Sequence, residues 1–193
     1  MANAATRPAA ARSGVASYDS VAQALHWLVA ALAAGVVLLG WTIEGTARNT
    51  PQRDLLMMVH SSVGLSILGA MLLRAGWRWR HPPPPLPSSL GRLEAALVRC
   101  THLVLYLIFI LMPLAGYLNA AAAGHSVNFF GIVTIPAIFP ENGRLSRVAI
   151  AVHLVGQYPL YLFVGLHITG ALFHGAIRRD GIVDRMLPSR RVS

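Results

Sequence analysis

The chain has 193 residues, of which 55% are hydrophobic and 12% are charged. Its mean hydropathy of +0.56 is too high for a soluble domain of this size, so we predict an all-α integral membrane protein surrounded by lipid. The formal net charge of +9 does not indicate nucleic-acid binding, because the basic residues flank apolar stretches instead of sharing one soluble face.

Four apolar stretches are each long enough to cross a hydrocarbon core. In chain order they cover residues 21–43, 55–77, 93–118 and 148–177. We therefore predict a four-helix transmembrane domain over residues 18–188, preceded by a disordered Ala- and Arg-rich segment at 1–17 and followed by a short tail at 189–193. Pro159 lies in the middle of the fourth stretch, where it predicts a helix kink.

The longer connections between these stretches differ in character. The second contains HPPPPLPSSLGR (81–92), a proline-rich sequence typical of a stiff, extended linker. The third, 119–147, contains VNFFGIVTIPAIF, which is too apolar for a solvated loop. We expect it to fold back over the end of the bundle.

The distribution of arginine predicts the orientation of the bundle. All 16 basic residues are arginine, and four of them, Arg48, Arg53, Arg144 and Arg147, lie in the first and third connections. The others lie near the termini or the second connection: Arg7, Arg12, Arg74, Arg78, Arg80, Arg92, Arg99, Arg178, Arg179, Arg185, Arg190 and Arg191. The positive-inside rule therefore places both termini in the cytoplasm. We call that end of the bundle the inner end and the opposite end the outer end.

Most of the histidines lie inside the apolar stretches, where an ionisable side chain is rare and usually functional. His153 and His167 are 14 residues apart, so on a helix they share one face at depths about 21 Å apart. The histidines within the predicted spans are His26, His60, His102, His153, His167 and His174, whereas His81 and His125 lie in connections and are expected to be solvated.

Depth along the alternating helices predicts two histidine pairs. His60 and His153 lie near the outer end, and His26 and His167 lie near the inner end. Two imidazoles that face each other across a bundle can supply both axial ligands of a haem. The sequence has no H-x-x-x-H or E-x-x-H motif for zinc or di-iron, and its single cysteine, Cys100, excludes a C-x-x-C-H haem attachment.

Small and basic residues accompany these histidines. Gly64, Gly156 and Gly170 lie three or four residues after a paired histidine, where they either admit a planar cofactor or allow close helix packing. Arg74 lies 14 residues after His60 and therefore on the same face at inner depth. It either binds a haem propionate or extends to the cytoplasmic interface.

His102 and His174 stay unassigned at this point. Both lie toward the inner end, and the residues alone allow either to be an inner haem ligand. As non-ligands they can donate to a propionate, line a quinone or proton pocket, or lie at the interface.

Five segments of the chain resemble the bacterial cytochrome b561 family. They are YDSVAQALHWL, MVHSSVGLSIL, THLVLYLIFILMPLAGY, AVHLVGQYPLYLFVGLHITGALFH and RRDGIVDRMLP, and the resemblance extends over about residues 18–188. It implies two b-type haems, with His26 and His167 on the inner iron and His60 and His153 on the outer iron. This assignment agrees with the pairing predicted from depth.

The resemblance also implies a function: electron transfer between an outer-face donor and the quinone pool of the bacterial inner membrane. One subgroup, which has a similar long outer loop, oxidises superoxide and reduces ubiquinone. The four outer arginines can attract an anion, although arginines also commonly flank spans. We expect the quinone near Phe129, Phe130 and Pro136, with a pocket near His102 as the second choice.

Two other functions are compatible with this sequence. The chain can be a haem-bearing anchor that relays electrons for a dehydrogenase or hydrogenase subunit, since such subunits have similar histidine placement. It can also be a non-redox scaffold or transporter in which the histidines serve packing and hydrogen bonding. The oligomeric state is not readable from the sequence.

Overall fold

A computed structural model describes residues 17–87 and 90–187 of the chain. The described part contains four long helices, α1 (Ser20–Gly45), α2 (Pro51–Arg80), α3 (Arg92–Ala122) and α4 (Gly143–Leu172), all apolar and long enough to span a membrane. The predicted all-α membrane bundle is therefore confirmed. The predictions for residues 1–16 and for the tail 189–193, including Arg7, Arg12, Arg190 and Arg191, lie outside the described residues.

Polar capping residues explain why the helices extend past the predicted apolar stretches. The Asp19 carboxylate accepts hydrogen bonds from two backbone N–H groups in the first turn of α1. Thr50 caps α2, which has Pro51 in its first turn, and Asn142 caps α4. The caps lie beyond the hydrophobic window, so a hydropathy reading shortens each helix by a few residues.

The helices pack in chain order around the bundle, α1 against α2, α2 against α3 and α3 against α4. A small buried cluster of Val29, Ile67, Ala70 and Met71 joins the first two helices. α1 and α4 are linked by a hydrogen bond from Trp41 Nε1 to the Tyr161 hydroxyl, 2.9 Å long. α4 runs without interruption through Pro159, and the kink predicted there stays a prediction.

A short β-hairpin lies at the outer end, in the connection between α3 and α4. Strands β1 (Val127–Phe129) and β2 (Val133–Ile135) are antiparallel. The Ser62 hydroxyl, fully buried on α2, accepts a hydrogen bond from the Phe130 N–H at 2.8 Å. The prediction that this connection folds back over the bundle is thus confirmed, and the hairpin is a small β element that we did not predict.

The chain after α4 closes the inner end. A π-helical turn, Phe173–Arg178, continues α4, and residues 180–187, which we call the inner cap, then return to the start of α1. The Gln23 side-chain amide lies 3.1 Å from the carbonyl oxygens of Tyr18, Arg185 and Leu187. A further hydrogen bond joins the side chain of Trp27 to a backbone carbonyl of the cap. The inner cap is therefore attached to α1 largely through its own backbone.

Candidate functional site

The structure brings the four paired histidines together as the depth argument predicts. At the outer end the ring centroids of His60 on α2 and His153 on α4 are 6.0 Å apart, with an interplanar angle of 76°. At the inner end the ring centroids of His26 on α1 and His167 on α4 are also 6.0 Å apart, at 71°. α4 thus contributes one histidine to each pair.

This spacing fits a metal held between two imidazoles. Metal–nitrogen bonds in proteins are about 2 Å long, so two rings that ligate one iron from opposite sides have centroids about 6 Å apart. The Nδ1 atoms of His26 and His60 are buried and have no hydrogen-bond partner of normal geometry among the described residues. Leaving such polar atoms without a partner is costly. Both observations are consistent with a haem at each pair.

His153 is oriented by a hydrogen bond from a neighbouring helix. Its Nδ1–H donates to the carbonyl oxygen of Met112 on α3, at 2.8 Å. A metal-ligating imidazole commonly donates its second nitrogen in this way, which fixes the tautomer and leaves Nε2 to face the metal. α3 therefore contributes to the outer site although it carries neither paired histidine there.

The predicted glycines differ in their surroundings. A Cβ added to Gly64 or Gly170 would have no described atom within 4 Å, so both have the open space beside them that a cofactor edge requires. A Cβ on Gly156 would lie 3.1 Å from Cγ of Met112. Close helix packing, the alternative interpretation, therefore accounts for Gly156.

Two glycines beside the outer pair were not predicted. A Cβ on Gly116 would lie 3.3 Å from the His153 ring, and one on Gly40 would lie 3.8 Å from the His60 ring. Their spacing was a usable signal, because Gly40 lies 14 residues after His26 and Gly116 lies 14 residues after His102.

His102 lies beside the inner pair. Its ring centroid is 5.2 Å from that of His167, and its Nδ1–H donates to the carbonyl of Val98 one turn earlier, at 2.6 Å. Arg74 lies close enough to His26, His102 and His167 to interact electrostatically with each of them. The half-buried guanidinium of Arg74 also lies over the ring of Tyr106.

His174 is engaged at the inner cap. Its Nδ1–H donates to the Asp180 carboxylate at 2.7 Å. Burial raises the pKa of Asp180, but hydrogen bonds from His174 and the Ile182 N–H outweigh this effect, so the pKa lies below its ordinary value. This contact gives His174 a structural role at the end of α4.

The outer arginines are not equivalent. Arg53 donates to the carbonyls of Ile43 and Thr46 and so caps the C-terminus of α1. Arg48 and Glu44 line an open cavity of about 510 Å³ beside it. Close to the hairpin, the rings of Phe129 and Phe130 pack edge to face, and Tyr117 donates to the Pro136 carbonyl at 2.7 Å.

A bundle of four membrane-spanning helices with facing histidines defines the class of b-type haem proteins that transfer electrons within the membrane. The chain belongs to the prokaryotic cytochrome b561 family, which it matches over residues 17–189. It is accordingly a multi-pass protein of the bacterial inner membrane, and the predicted family and location are confirmed.

Individual relatives cover nearly the whole chain. The probable superoxide oxidase CybB of Yersinia pestis is 30% identical over 177 residues, which represent 90% of this chain and 97% of the relative. Cytochrome b561 homolog 2 of Escherichia coli strain K12 is 31% identical over 179 residues, 88% of this chain and 90% of the relative. Cytochrome b561 homolog 1 of the same strain is 28% identical over 173 residues, 86% of this chain and 94% of the relative.

Proposed function

We propose that the chain binds two b-type haems and transfers electrons from superoxide at the outer face to ubiquinone. His60 and His153 hold the outer iron, and His26 and His167 hold the inner iron. The observation that carries this proposal is the equal spacing of 6.0 Å between ring centroids in both pairs. The proposal assigns both haems to one domain, residues 18–188.

Each haem, when bound, supplies a centre that accepts and releases one electron. Two superoxide anions lose one electron each and become two dioxygen molecules. The two electrons, together with two protons from water, convert one ubiquinone to ubiquinol. No oxygen atom is transferred, so the protein has to bind, orient and exclude water and does not need a nucleophile.

The residues around each pair have distinct roles in this proposal. The Met112 carbonyl orients His153 and raises its basicity as a ligand. Gly64 and Gly170 admit the edges of the rings, and Arg74 binds a propionate of the inner haem. His102, beside His167, donates to the same haem or lines a quinone pocket.

The outer face is suited to an anionic donor. Arg48, Arg144 and Arg147 create a positive field there, which raises the local concentration of an anion such as superoxide. We propose the hairpin near Phe129, Phe130 and Pro136 as the first place to seek the quinone head group. The relative named as a probable superoxide oxidase supports this choice of donor.

The first test is the reduced-minus-oxidised absorbance spectrum of the purified chain, with a haem-to-protein ratio. We expect two b-type haems in the wild type, and one each in His60→Ala and His167→Ala. His125→Ala, in the loop before the hairpin, is the matched control and should retain both. A wild-type chain that binds no haem after reconstitution would refute the proposal.

A second assay separates the two candidate functions. The purified chain should reduce ubiquinone when superoxide is supplied, and superoxide dismutase should abolish the reaction. If quinone reduction instead requires a co-purifying catalytic subunit, the chain is a haem-bearing relay anchor.

A further inference from the structure

We propose that Arg74 and Arg78, placed over the ring of Tyr106, bind the two propionates of the inner haem and turn that edge of the haem toward the inner end. We call these three residues the arginine clamp. This inference rests on the proposed function, because it requires a haem between His26 and His167. It extends that proposal by giving the orientation of the haem and two further residues that hold it.

The clamp is defined by the approach of two cations to one aromatic ring. The Cζ atom of Arg74 lies 5.2 Å from the ring centroid of Tyr106, and Cζ of Arg78 lies 5.7 Å from it. These are distances at which a guanidinium is attracted by an aromatic face. Tyr106 therefore holds the two side chains from adjacent turns of α2 close to each other.

This arrangement is unfavourable without an anion. Like charges four residues apart on a helix repel each other. Neither Arg74 nor Arg78 forms an ion pair with an acidic side chain within residues 17–87 and 90–187, which contain all seven acidic residues of the chain. The acids nearest the inner end are engaged elsewhere, Glu94 with Arg178, Asp180 with His174, and Asp19 with Trp77.

The clamp lies between the inner histidines and the inner surface. Arg74 interacts electrostatically with His26 and His167, and Arg78 lies one turn closer to the end of α2. A small cavity of about 20 Å³, room for one water-sized polar group, is lined by Tyr18, Arg74, Trp77, Arg78, Tyr106 and Met186. A haem held by the inner pair therefore has cationic partners on this side.

The chemistry of the two propionates matches this site. They carry two negative charges, equal to the positive charge of the two guanidiniums, and carboxylates accept paired hydrogen bonds from arginine. The phosphate of an anionic lipid offers the same type of oxygen at the membrane surface. We favour the propionates because Arg74 interacts with the histidines of the inner pair.

The test measures the inner haem by itself, in a His60→Ala background that removes the outer haem. In this background we expect Arg74→Gln and Arg78→Gln each to lower the midpoint potential, because loss of a nearby positive charge favours the oxidised iron. Haem transfer to an acceptor apoprotein should become about tenfold faster, as expected when a hydrogen bond to a charged group is lost. Arg80→Gln, two residues further along α2, should change neither quantity.

Two milder variants keep the test decisive if a glutamine variant does not fold. Arg78→Lys retains the charge and loses the paired hydrogen bonds, so haem loss should accelerate while the potential changes less. Tyr106→Leu removes the aromatic ring and should affect both quantities.

Two results would overturn the clamp. In the first, haem-loaded Arg74→Gln and Arg78→Gln have the wild-type potential and rate of haem loss. In the second, these variants retain normal haem properties but lose binding of phosphatidylglycerol in nanodiscs, which would assign the site to lipid. Failure of the wild-type chain to bind an inner haem is a separate result and would refute the proposed function itself.

Discussion

Replacing Gln23 by leucine tests how the inner cap is held. The Gln23 side chain is 7% exposed, and its amide group is shared by three backbone carbonyls, two of them in the cap. Leucine has nearly the same volume, so the substitution removes the donors without opening a large cavity. The two amide hydrogens can form two full hydrogen bonds, each with a net value of about 1 kcal/mol. We therefore expect a loss of about 2 kcal/mol, which favours the undocked cap roughly 30-fold.

Thiol labelling can report undocking of the cap. The half-buried Val183 of the cap is replaced by cysteine in a Cys100→Ser background, because Cys100 is exposed and would also react. A membrane-impermeant maleimide should then label Gln23→Leu protein roughly 30-fold faster than its parent, as long as reclosing is faster than labelling. Gln52→Leu, at an exposed position on α2, should label at the parental rate. Equal labelling of the Gln23→Leu protein and its parent would refute the view that this amide holds the cap.

Two further predictions concern the ends of the bundle. Ser62→Ala removes the acceptor of the Phe130 N–H, so hydrogen exchange at that amide should accelerate roughly tenfold, whereas Ser66→Ala, which affects a bond within α2, should not change it. The Asp180 carboxylate has a lowered folded-state pKa, so its contribution to the cap is complete above the unfolded value near 3.8 and is lost as the pH falls through the folded value. Labelling of the Val183→Cys protein should therefore increase on acidification in that range, and Asp180→Asn should remove this increase; an unchanged acid response in Asp180→Asn would contradict the assignment.

The helices and the histidine pairs were predictable because both depend on regular periodicity. Helical geometry alone converts the interval from His153 to His167 into two depths on one face, and the antiparallel helices bring partners to those depths. The resemblance of the chain to its family gave the same assignment. The role of these four histidines as haem ligands stays a prediction.

The contacts at the two ends were not predictable for a physical reason. Gln23 and Ser62 bind backbone carbonyls and N–H groups, which every residue carries and which therefore leave no pattern in the sequence. The Met112 carbonyl that orients His153 is hidden in the same way. A buried glutamine near the start of an apolar helix was a usable signal, since such a side chain requires partners. It did not indicate where those partners lie in the chain.

α4 carries one histidine of each pair, and this has a consequence for how such chains can diverge. A single inserted residue between His153 and His167 would rotate one of them by about 100° relative to the other and remove it from its partner. The same insertion in the 81–92 linker would not change either pair. Length variation among functional relatives should therefore be concentrated in the connections, while the 14-residue interval on α4 keeps its length even where most of the residues within it are replaced.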